Sequence, residues 1–178
     1  MSDAEGLHLF SEEEPLSNQE TTADIQTTIK LKNQRYMVFT LESERFAVPL
    51  ASCNEVIETP EFRVIPNTVQ YFNGFFNLRG NVVGLISLRK KFGYGKAEGL
   101  RTAAIVFSTP KGLLAANVDR IEKIVTINSD EIDKDPQIKS NVPQEYLIGL
   151  TKGDESLIII NLEKILTEDD WIKVKVAV

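Results

Sequence analysis

Four acidic residues lie close together in the last third of the chain and could do chemistry as a group: Asp130, Glu131, Asp133 and Asp135. Paired carboxylates carry out acid–base catalysis in glycosidases. Calcium binding would need alternating oxygen ligands around a glycine turn, and residues 129–136 contain no glycine. Such clusters are usually solvated surface. An enzyme or ligand-binding barrel that uses these acids is one hypothesis, and it predicts a deep polar pocket with perturbed carboxylate pKa values.

The residues of nucleophilic and zinc chemistry are nearly missing from the sequence. His8 is the only histidine and lies in an acidic N-terminal segment, so the domain has no histidine for a Ser-His-Asp or Cys-His pair. Cys53 is the only cysteine, which excludes an intrachain disulfide and a cysteine zinc site. Residues 93–96 have two glycines and a lysine but lack the spacing of a phosphate-binding loop. We therefore predict a protein without enzymatic activity, cofactor or metal.

Charge is distributed unevenly along the 178 residues. Residues 1–33 hold seven acidic side chains against two lysines, so −5 of the net charge of −6 belongs to this segment. Because it has few large apolar groups to offset the entropy of ordering, its composition predicts a disordered acidic extension. The remainder is nearly neutral, which argues against nucleic-acid binding.

The cellular compartment is predicted from what the sequence lacks. The lone cysteine and the absence of a basic-plus-apolar leader predict the cytoplasm. The longest aliphatic run, residues 157–160, is far shorter than the roughly 20 residues of a membrane-spanning helix. We therefore expect no direct insertion into a membrane.

Short strands joined by turns dominate the chain after residue 33. Residues 36–41 and 45–50 are rich in aromatic and β-branched side chains on either side of a polar turn, which predicts a hairpin. Residues 103–108 and 113–116 predict a second hairpin of the same plan. The glycine-rich loop at 93–101 is the natural boundary between two lobes.

Part of this pattern recurs about 74 residues later in the chain. The residues that match between the copies are Tyr71, Gly74, Gly80 and Ser87 in the first and Tyr146, Gly149, Gly153 and Asn161 in the second. Gly80 and Gly153 are predicted to lie in tight turns with positive φ. Ser87 and Asn161 are predicted to be N-caps of short helices. An offset of 67 aligns the two hairpins and places Ile57 on Ile124 and Glu55 on Glu122. The duplication favours two similar β lobes.

Charged residues near the first copy are candidates for partner contacts. Arg79 follows apolar residues at a strand–turn junction, where a guanidinium acts either as an interface anchor or as a structural salt bridge. Glu55 lies between apolar positions and is either a binding residue or a solvent-facing one. Residues 89–91 are predicted to form the solvated face of a short helix. The alternation in residues 171–176 predicts a further strand.

The stretch from Gly74 through Asn77-Leu78-Arg79-Gly80 to Gly93 resembles the central signature of the CheW family of chemotaxis coupling proteins. Flanking segments resemble the family in the same order, at residues 36–41, 46–50, 55–57, 65–67, 118–119 and 145–166. The resemblance covers about residues 34–167. It implies a mainly β fold of two Src-homology-3-like five-stranded β-barrel lobes packed around a shared apolar core, with short helices. The lobes would lie at about 34–92 and 101–167, with strand exchange between them left open, and 168–178 would be a C-terminal tail.

The resemblance also implies a function. The protein would be a non-catalytic adaptor that couples the cytoplasmic tip of chemoreceptors to the regulatory domain of a CheA-type histidine kinase. It would lie in receptor arrays at the inner face of the membrane, and other CheW copies in rings are a further partner left open. The receptor would dock in a groove between the lobes, near Leu50, Cys53, Asn54, Glu55, Val56, Asn77, Leu78, Arg79 and Gly80. An adaptor of another chemosensory-like pathway, such as pilus or gliding motility, is the alternative.

Overall fold

The computed structural model describes residues 32–95, 102–137, 140–153 and 155–176, so the predicted acidic extension up to residue 31 and most of the predicted lobe boundary lie outside the described residues. Within that part the strands are β1 (Asn33–Leu41), β2 (Glu44–Pro49), β3 (Glu55–Glu58), β4 (Phe72–Leu78), β5 (Asn81–Ser87), β6 (Ala103–Thr109), β7 (Gly112–Val118), β8 (Arg120–Asn128), β9 (Ile132–Asp133), β10 (Leu147–Thr151) and β11 (Ile158–Ile160). The helices are α1 (Leu88–Lys91) and α2 (Glu168–Val176), and 3-10 turns form at Leu50–Ser52, Ser129–Glu131, Gln144–Tyr146 and Leu162–Lys164.

The strands form two sheets, and each sheet combines strands from both halves of the chain. The six-stranded sheet has the order β8-β1-β2-β11-β10-β9, and the five-stranded sheet has the order β3-β6-β7-β5-β4. Neighbours pair antiparallel except for β2 with β11 and β5 with β7, which are parallel. The hairpin β1–β2 therefore lies with the C-terminal strands, and the hairpin β6–β7 lies with β3, β4 and β5. The predicted mainly β fold is confirmed, and the short strand β9 adds a sixth strand to one sheet.

Apolar side chains on both faces of each sheet form three clusters. The shared core lies between the sheets and includes fully buried Phe39 and Phe46 from the six-stranded sheet and Ile105 and Phe107 from the five-stranded sheet. Because side chains alternate along a strand, the neighbours of these residues point the other way. They fill a second cluster behind the six-stranded sheet and a third behind the five-stranded sheet. Two sheets that each carry apolar clusters on both faces are typical of two curled lobes that share one core.

Local sequence signals are confirmed where turns and caps form. Gly80 and Gly153 have φ of +88° and +120°, in the region that side chains resist. The Ser87 hydroxyl accepts a hydrogen bond from the Lys90 backbone N–H at 3.3 Å and caps α1. Asn161 Oδ1 accepts from the Glu163 N–H at 2.9 Å and caps the corresponding 3-10 turn.

The segment predicted as a C-terminal strand is instead the helix α2, so that prediction is wrong. The Thr167 N–H donates to Asp170 Oδ2 at 2.9 Å, and the Asp170 N–H donates to Thr167 Oγ1 at 3.2 Å. This reciprocal capping box satisfies two backbone donors at the helix start, and the three acids of the first turn suit its positive end. Val174 and Trp171, three residues apart, then pack on the shared core. The capping box outweighs the strand-like alternation.

Candidate partner-binding site

An ion pair joins the two outer strands of the five-stranded sheet. Strands β3 and β4 lie at opposite edges in the sheet order, and Arg79 lies in the turn that follows β4. Its guanidinium donates to both carboxylate oxygens of Glu55 at the start of β3, with Nη1–Oε1 at 3.1 Å and Nη2–Oε2 at 3.0 Å. Bidentate pairs of this kind fix the orientation of both groups. The pair thereby links the start of one edge strand to the exposed turn that follows the other edge strand.

Arg79 has a backbone conformation that is unusual for a side chain of its size. Its φ is +52°, and with Gly80 it forms a two-residue turn with both φ values positive. The Asn77 side-chain oxygen accepts from the Gly80 N–H at 2.9 Å and holds the turn. The Arg79 side chain is 76% exposed, so its ion pair contributes only about 0–1 kcal/mol to stability. Strain retained at an exposed residue is typical of functional positions.

The other predicted site residues are not all in contact with one another. Leu50 and Cys53 pack against the shared core, and Leu78 packs against the cluster behind the five-stranded sheet. The Asn54 side-chain amide donates to Ser108 Oγ at 3.0 Å. Direct hydrogen bonds join Glu55 with Arg79, Asn77 with Gly80, and the Cys53 backbone N–H with the Leu50 carbonyl oxygen at 3.1 Å.

Burial makes Cys53 a structural thiol. Its Sγ lies 3.5 Å from the Pro49 carbonyl oxygen, to which it donates. Desolvation raises the pKa of the thiol to about 11, which leaves very little thiolate at neutral pH. A nucleophilic role is therefore disfavoured, in agreement with its apolar sequence context.

A groove of about 400 Å³ separates the edges of the two sheets. One wall consists of β3 and the start of β6, and the other is the short crossover from β7 into β8. The lining residues are Val56, Ile57, Glu58, Thr102, Ala103, Asp119, Arg120 and Ile121. This groove lies next to Glu55, whose neighbour Val56 is 39% exposed.

The strand register shows why apolar side chains are found at these edges of the two sheets. Val56 lies opposite Ile105, and Ile121 and Ile124 lie opposite Phe39 and Met37. Since paired residues share a face of the sheet, all three side chains belong to the faces that form the shared core. They lie on edge strands, where this core meets solvent, and Ile124 is 55% exposed. Sequence reasoning missed Ile121 and Ile124, although the offset of 67 already aligned Ile124 with Ile57.

The predicted solvated face at residues 89–91 is wrong for two of its three members. Only Lys90 is exposed. Arg89 is buried against Asp119, and the Lys91 side chain is 9% exposed, with its ammonium 3.4 Å from Asp170 Oδ2. The helix α1 lies where the two sheets meet, so both cations bind carboxylates that are distant in sequence.

The acidic residues considered for catalysis face solvent. Asp130, Glu131, Asp133 and Asp135 are all exposed, and Asp133 Oδ1 accepts from the Asp135 N–H at 3.1 Å. Across the described ranges, no group of three or more His, Cys, Asp or Glu residues is placed to hold a metal ion. In the same part of the chain no helix is long and apolar enough to cross a membrane. The enzyme hypothesis gains no support from this segment.

Two curled sheets on a shared core, with an apolar groove between their edges, define a two-lobed β protein of the Src-homology-3-like class. The chain belongs to the CheW-like domain family, whose family model matches residues 35–170. It is 31% identical over 137 residues to the chemotaxis protein CheW of Helicobacter pylori, which covers 76% of this chain and 82% of the relative. It is 28% identical over 139 residues to CheW of Klebsiella aerogenes, with 77% and 84% covered.

A solved structure has the same fold. The scaffolding protein TtCheW from Thermoanaerobacter tengcongensis superimposes with a TM-score of 0.70 at 24% identity, over 77% of this chain and 90% of that chain. This likeness concerns the fold, whereas membership of the family rests on the sequence match.

Proposed function

We propose that the protein is a non-catalytic adaptor that couples the cytoplasmic tip of chemoreceptors to the regulatory domain of a CheA-type histidine kinase. The proposal is supported by membership of the CheW-like family and by relatives named as chemotaxis proteins. It places the protein at the cytoplasmic face of receptor arrays, where other copies of the same chain are a further partner in rings.

The observation that carries the proposal is the exposed Arg79–Glu55 pair beside the groove. Arg79 presents an exposed guanidinium from a strained turn, and the apolar side chains of Val56 and Ile124 lie at solvent-exposed edges of the shared core. An apolar strip next to a fixed charge suits an amphipathic helix, whose apolar face binds the strip and whose polar residues meet the charge. We assign receptor or kinase contacts to Leu50, Cys53, Asn54, Glu55, Val56, Asn77, Leu78, Arg79 and Gly80, and we add Ile121 and Ile124 to them.

Charge reversal at the pair tests this assignment. We expect Arg79→Glu and Glu55→Lys each to weaken binding of a receptor-tip fragment roughly tenfold or more, because interface anchors in a closed site carry much of the binding energy. Because the pair is exposed, the free energy of unfolding is expected to change by about 1 kcal/mol or less. Pull-down, calorimetry and receptor-coupled kinase activity measure the first effect, and urea denaturation measures the second.

The ion pair between Lys111 and Glu168 supplies the matched control, because it is also on the surface but lies at the far end of β6 from the groove. Lys111→Glu is expected to leave receptor binding unchanged. The site assignment is wrong if folded Arg79→Glu and Glu55→Lys proteins still couple receptors to the kinase normally. Co-purification from the native cell, with partners identified by mass spectrometry, separates a chemotaxis kinase from one of a pilus or gliding pathway.

A further inference from the structure

Arg89 donates to four oxygen atoms of three residues in a largely buried network, and one of these residues, Asp119, lines the groove. Its Nε and Nη2 donate to the two carboxylate oxygens of Asp119 at 2.5 Å and 2.6 Å. Its Nη1 donates to Glu42 Oε1 at 3.1 Å and to the Gly95 carbonyl oxygen at 2.8 Å. The side chains of Arg89 and Asp119 are 11% and 10% exposed. The guanidinium therefore has an acceptor on each of its three nitrogens.

The groups in this network come from both sheets. Arg89 lies in α1, directly after β5 of the five-stranded sheet, and Glu42 lies in the β1–β2 turn of the six-stranded sheet. Asp119 is the single residue between β7 and β8, where the chain crosses from one sheet to the other. One side chain thus connects the two sheets at their crossover.

Asp119 makes further hydrogen bonds through both its backbone and its carboxylate. Its backbone N–H donates to the Thr40 carbonyl oxygen at 3.1 Å, and its Oδ2 also accepts from the Glu42 N–H at 2.7 Å. The same residue lines the groove, followed directly by the lining residues Arg120 and Ile121. Any change in how Arg89 holds Asp119 therefore acts on the groove wall that β8 provides.

A buried ion pair adds little net stability, since desolvation of both charges opposes their attraction. Its directional hydrogen bonds can instead select one arrangement among several that an apolar contact would allow. From this network we infer that Arg89 is a positioning residue for the groove: it fixes the two sheets relative to each other and so sets the affinity for a partner. The effect on affinity rests on the proposed function, whereas the effect on sheet placement does not.

A double variant, Arg89→Met with Asp119→Leu, removes both buried charges together, and the one carboxylate that loses its cation, Glu42, is 44% exposed. The matched control is Lys91→Met with Asp170→Leu, because Lys91–Asp170 is also a buried ion pair of α1 but neither residue lines the groove. Both variants are compared as full-length proteins at a temperature where circular dichroism shows each of them folded.

Two measurements are made on each variant. Nitroxide labels at Glu58→Cys on β3 and Thr126→Cys on β8, in a Cys53→Ser background, report the distance between these edge strands of the two sheets without any partner. Calorimetry with a soluble receptor-tip fragment and with the kinase regulatory domain reports affinity. We expect the Arg89/Asp119 variant to broaden the distance distribution and to weaken binding on the order of tenfold. The Lys91/Asp170 variant is expected to keep the wild-type distribution and affinity.

The conservative variant Arg89→Lys keeps the charge but loses the planar fork of hydrogen-bond donors. We expect its distance distribution and its affinity for the two probes to lie between those of the wild type and those of the double variant. This variant decides the question if the double variant does not fold. A wild-type distance distribution in folded Arg89/Asp119 or Arg89→Lys protein would overturn the inference. If wild-type protein binds neither probe, the proposed function fails, and the distance measurement still tests the positioning role.

Discussion

Gly74 and Gly149, which match in the two copies of the repeat, each allow a second segment of backbone to approach closely. A Cβ on Gly74 would overlap the carbonyl oxygen of Arg63, whose backbone is hydrogen-bonded to Phe75. A Cβ on Gly149 would overlap the carbonyl oxygen of Asp133 on the neighbouring strand β9. In each copy a second segment of backbone passes over the strand at the glycine, so the repeat conserves a close approach as well as a turn.

We expect Gly74→Ala and Gly149→Ala each to lower the free energy of unfolding by roughly 2 kcal/mol or more, because backbone must move to make room. Gly95→Ala is a suitable comparison, since its Cβ would meet the flexible Glu42 carboxylate at 3.3 Å rather than a backbone atom. Urea denaturation measures the free energy of unfolding of all three variants. Wild-type stability in either Gly74→Ala or Gly149→Ala would show that the crossing segments are not held as described.

At the scale of elements, the two copies differ in the charges that join their edge strands. Glu55 on β3 binds Arg79 of the β4–β5 turn, whereas the aligned Glu122 on β8 binds Arg45 of β2 at 2.8 Å. In the second copy the glutamate therefore pairs with an arginine of the same six-stranded sheet. Among the described residues of the two copies, Arg79 in the first combines a positive φ with an exposed guanidinium, which is why we place the function there.

The helix α2 depends on one buried carboxylate. Asp170 caps the helix with Thr167 and binds Lys91, whose ammonium also lies 4.0 Å from the centre of the Tyr71 ring. Burial alone would raise the pKa of Asp170, but hydrogen bonds from Tyr71 and Thr167 and the charge of Lys91 together lower it below its ordinary value of 3.8. A depressed pKa in the folded state means that Asp170 stabilises the fold above the unfolded pKa and ceases to do so as the pH falls through the folded pKa.

We therefore expect Asp170→Asn to be less stable than wild type by roughly 2–4 kcal/mol at pH 7, because Lys91 loses its counter-charge. This deficit should shrink as the pH falls from about 4, near the unfolded pKa, through the lower pKa of the folded state, where the wild-type carboxylate takes up its proton. Thermal unfolding followed between pH 7 and pH 2 measures it. Asp169→Asn, an exposed acid in the same helical turn, should show neither effect. A deficit of equal size at both ends of the range would contradict the ionic origin.

At the scale of the whole molecule, what could be predicted from the sequence was local. The hairpins, the turn glycines and the caps at Ser87 and Asn161 each depend on neighbouring residues, and the family signature supplied the fold. The burial of Arg89 depends on Asp119 and Glu42, which are 30 and 47 residues away, and no local pattern encodes those contacts. The exposure of Ile124 likewise follows from the edge position of β8.

The exchange of hairpins between the sheets makes folding a property of the whole chain. The parallel pairs β2–β11 and β5–β7 close contacts between strands far apart in sequence, and the shared core needs side chains from both halves. The entropy of closing such contacts must be offset by burial that neither half can complete alone. The molecule should therefore unfold in a single cooperative step.

Division of the chain within residues 96–101 tests this. We expect fragments 1–98 and 99–178 each to lack native structure, because the first has β1–β2 without its parallel neighbour β11, and the second has β6–β7 without β5. Mixed in equal amounts, they should form a complex with the far-ultraviolet circular dichroism of the intact protein and a sharp thermal transition. The control is the folded full-length protein, cleaved at a protease site engineered within residues 96–101. It shows the effect of the chain break alone. If fragment 1–98 alone gave dispersed amide resonances and a cooperative melt, the two sequence halves would be independent domains, and the shared core would be an interface between them.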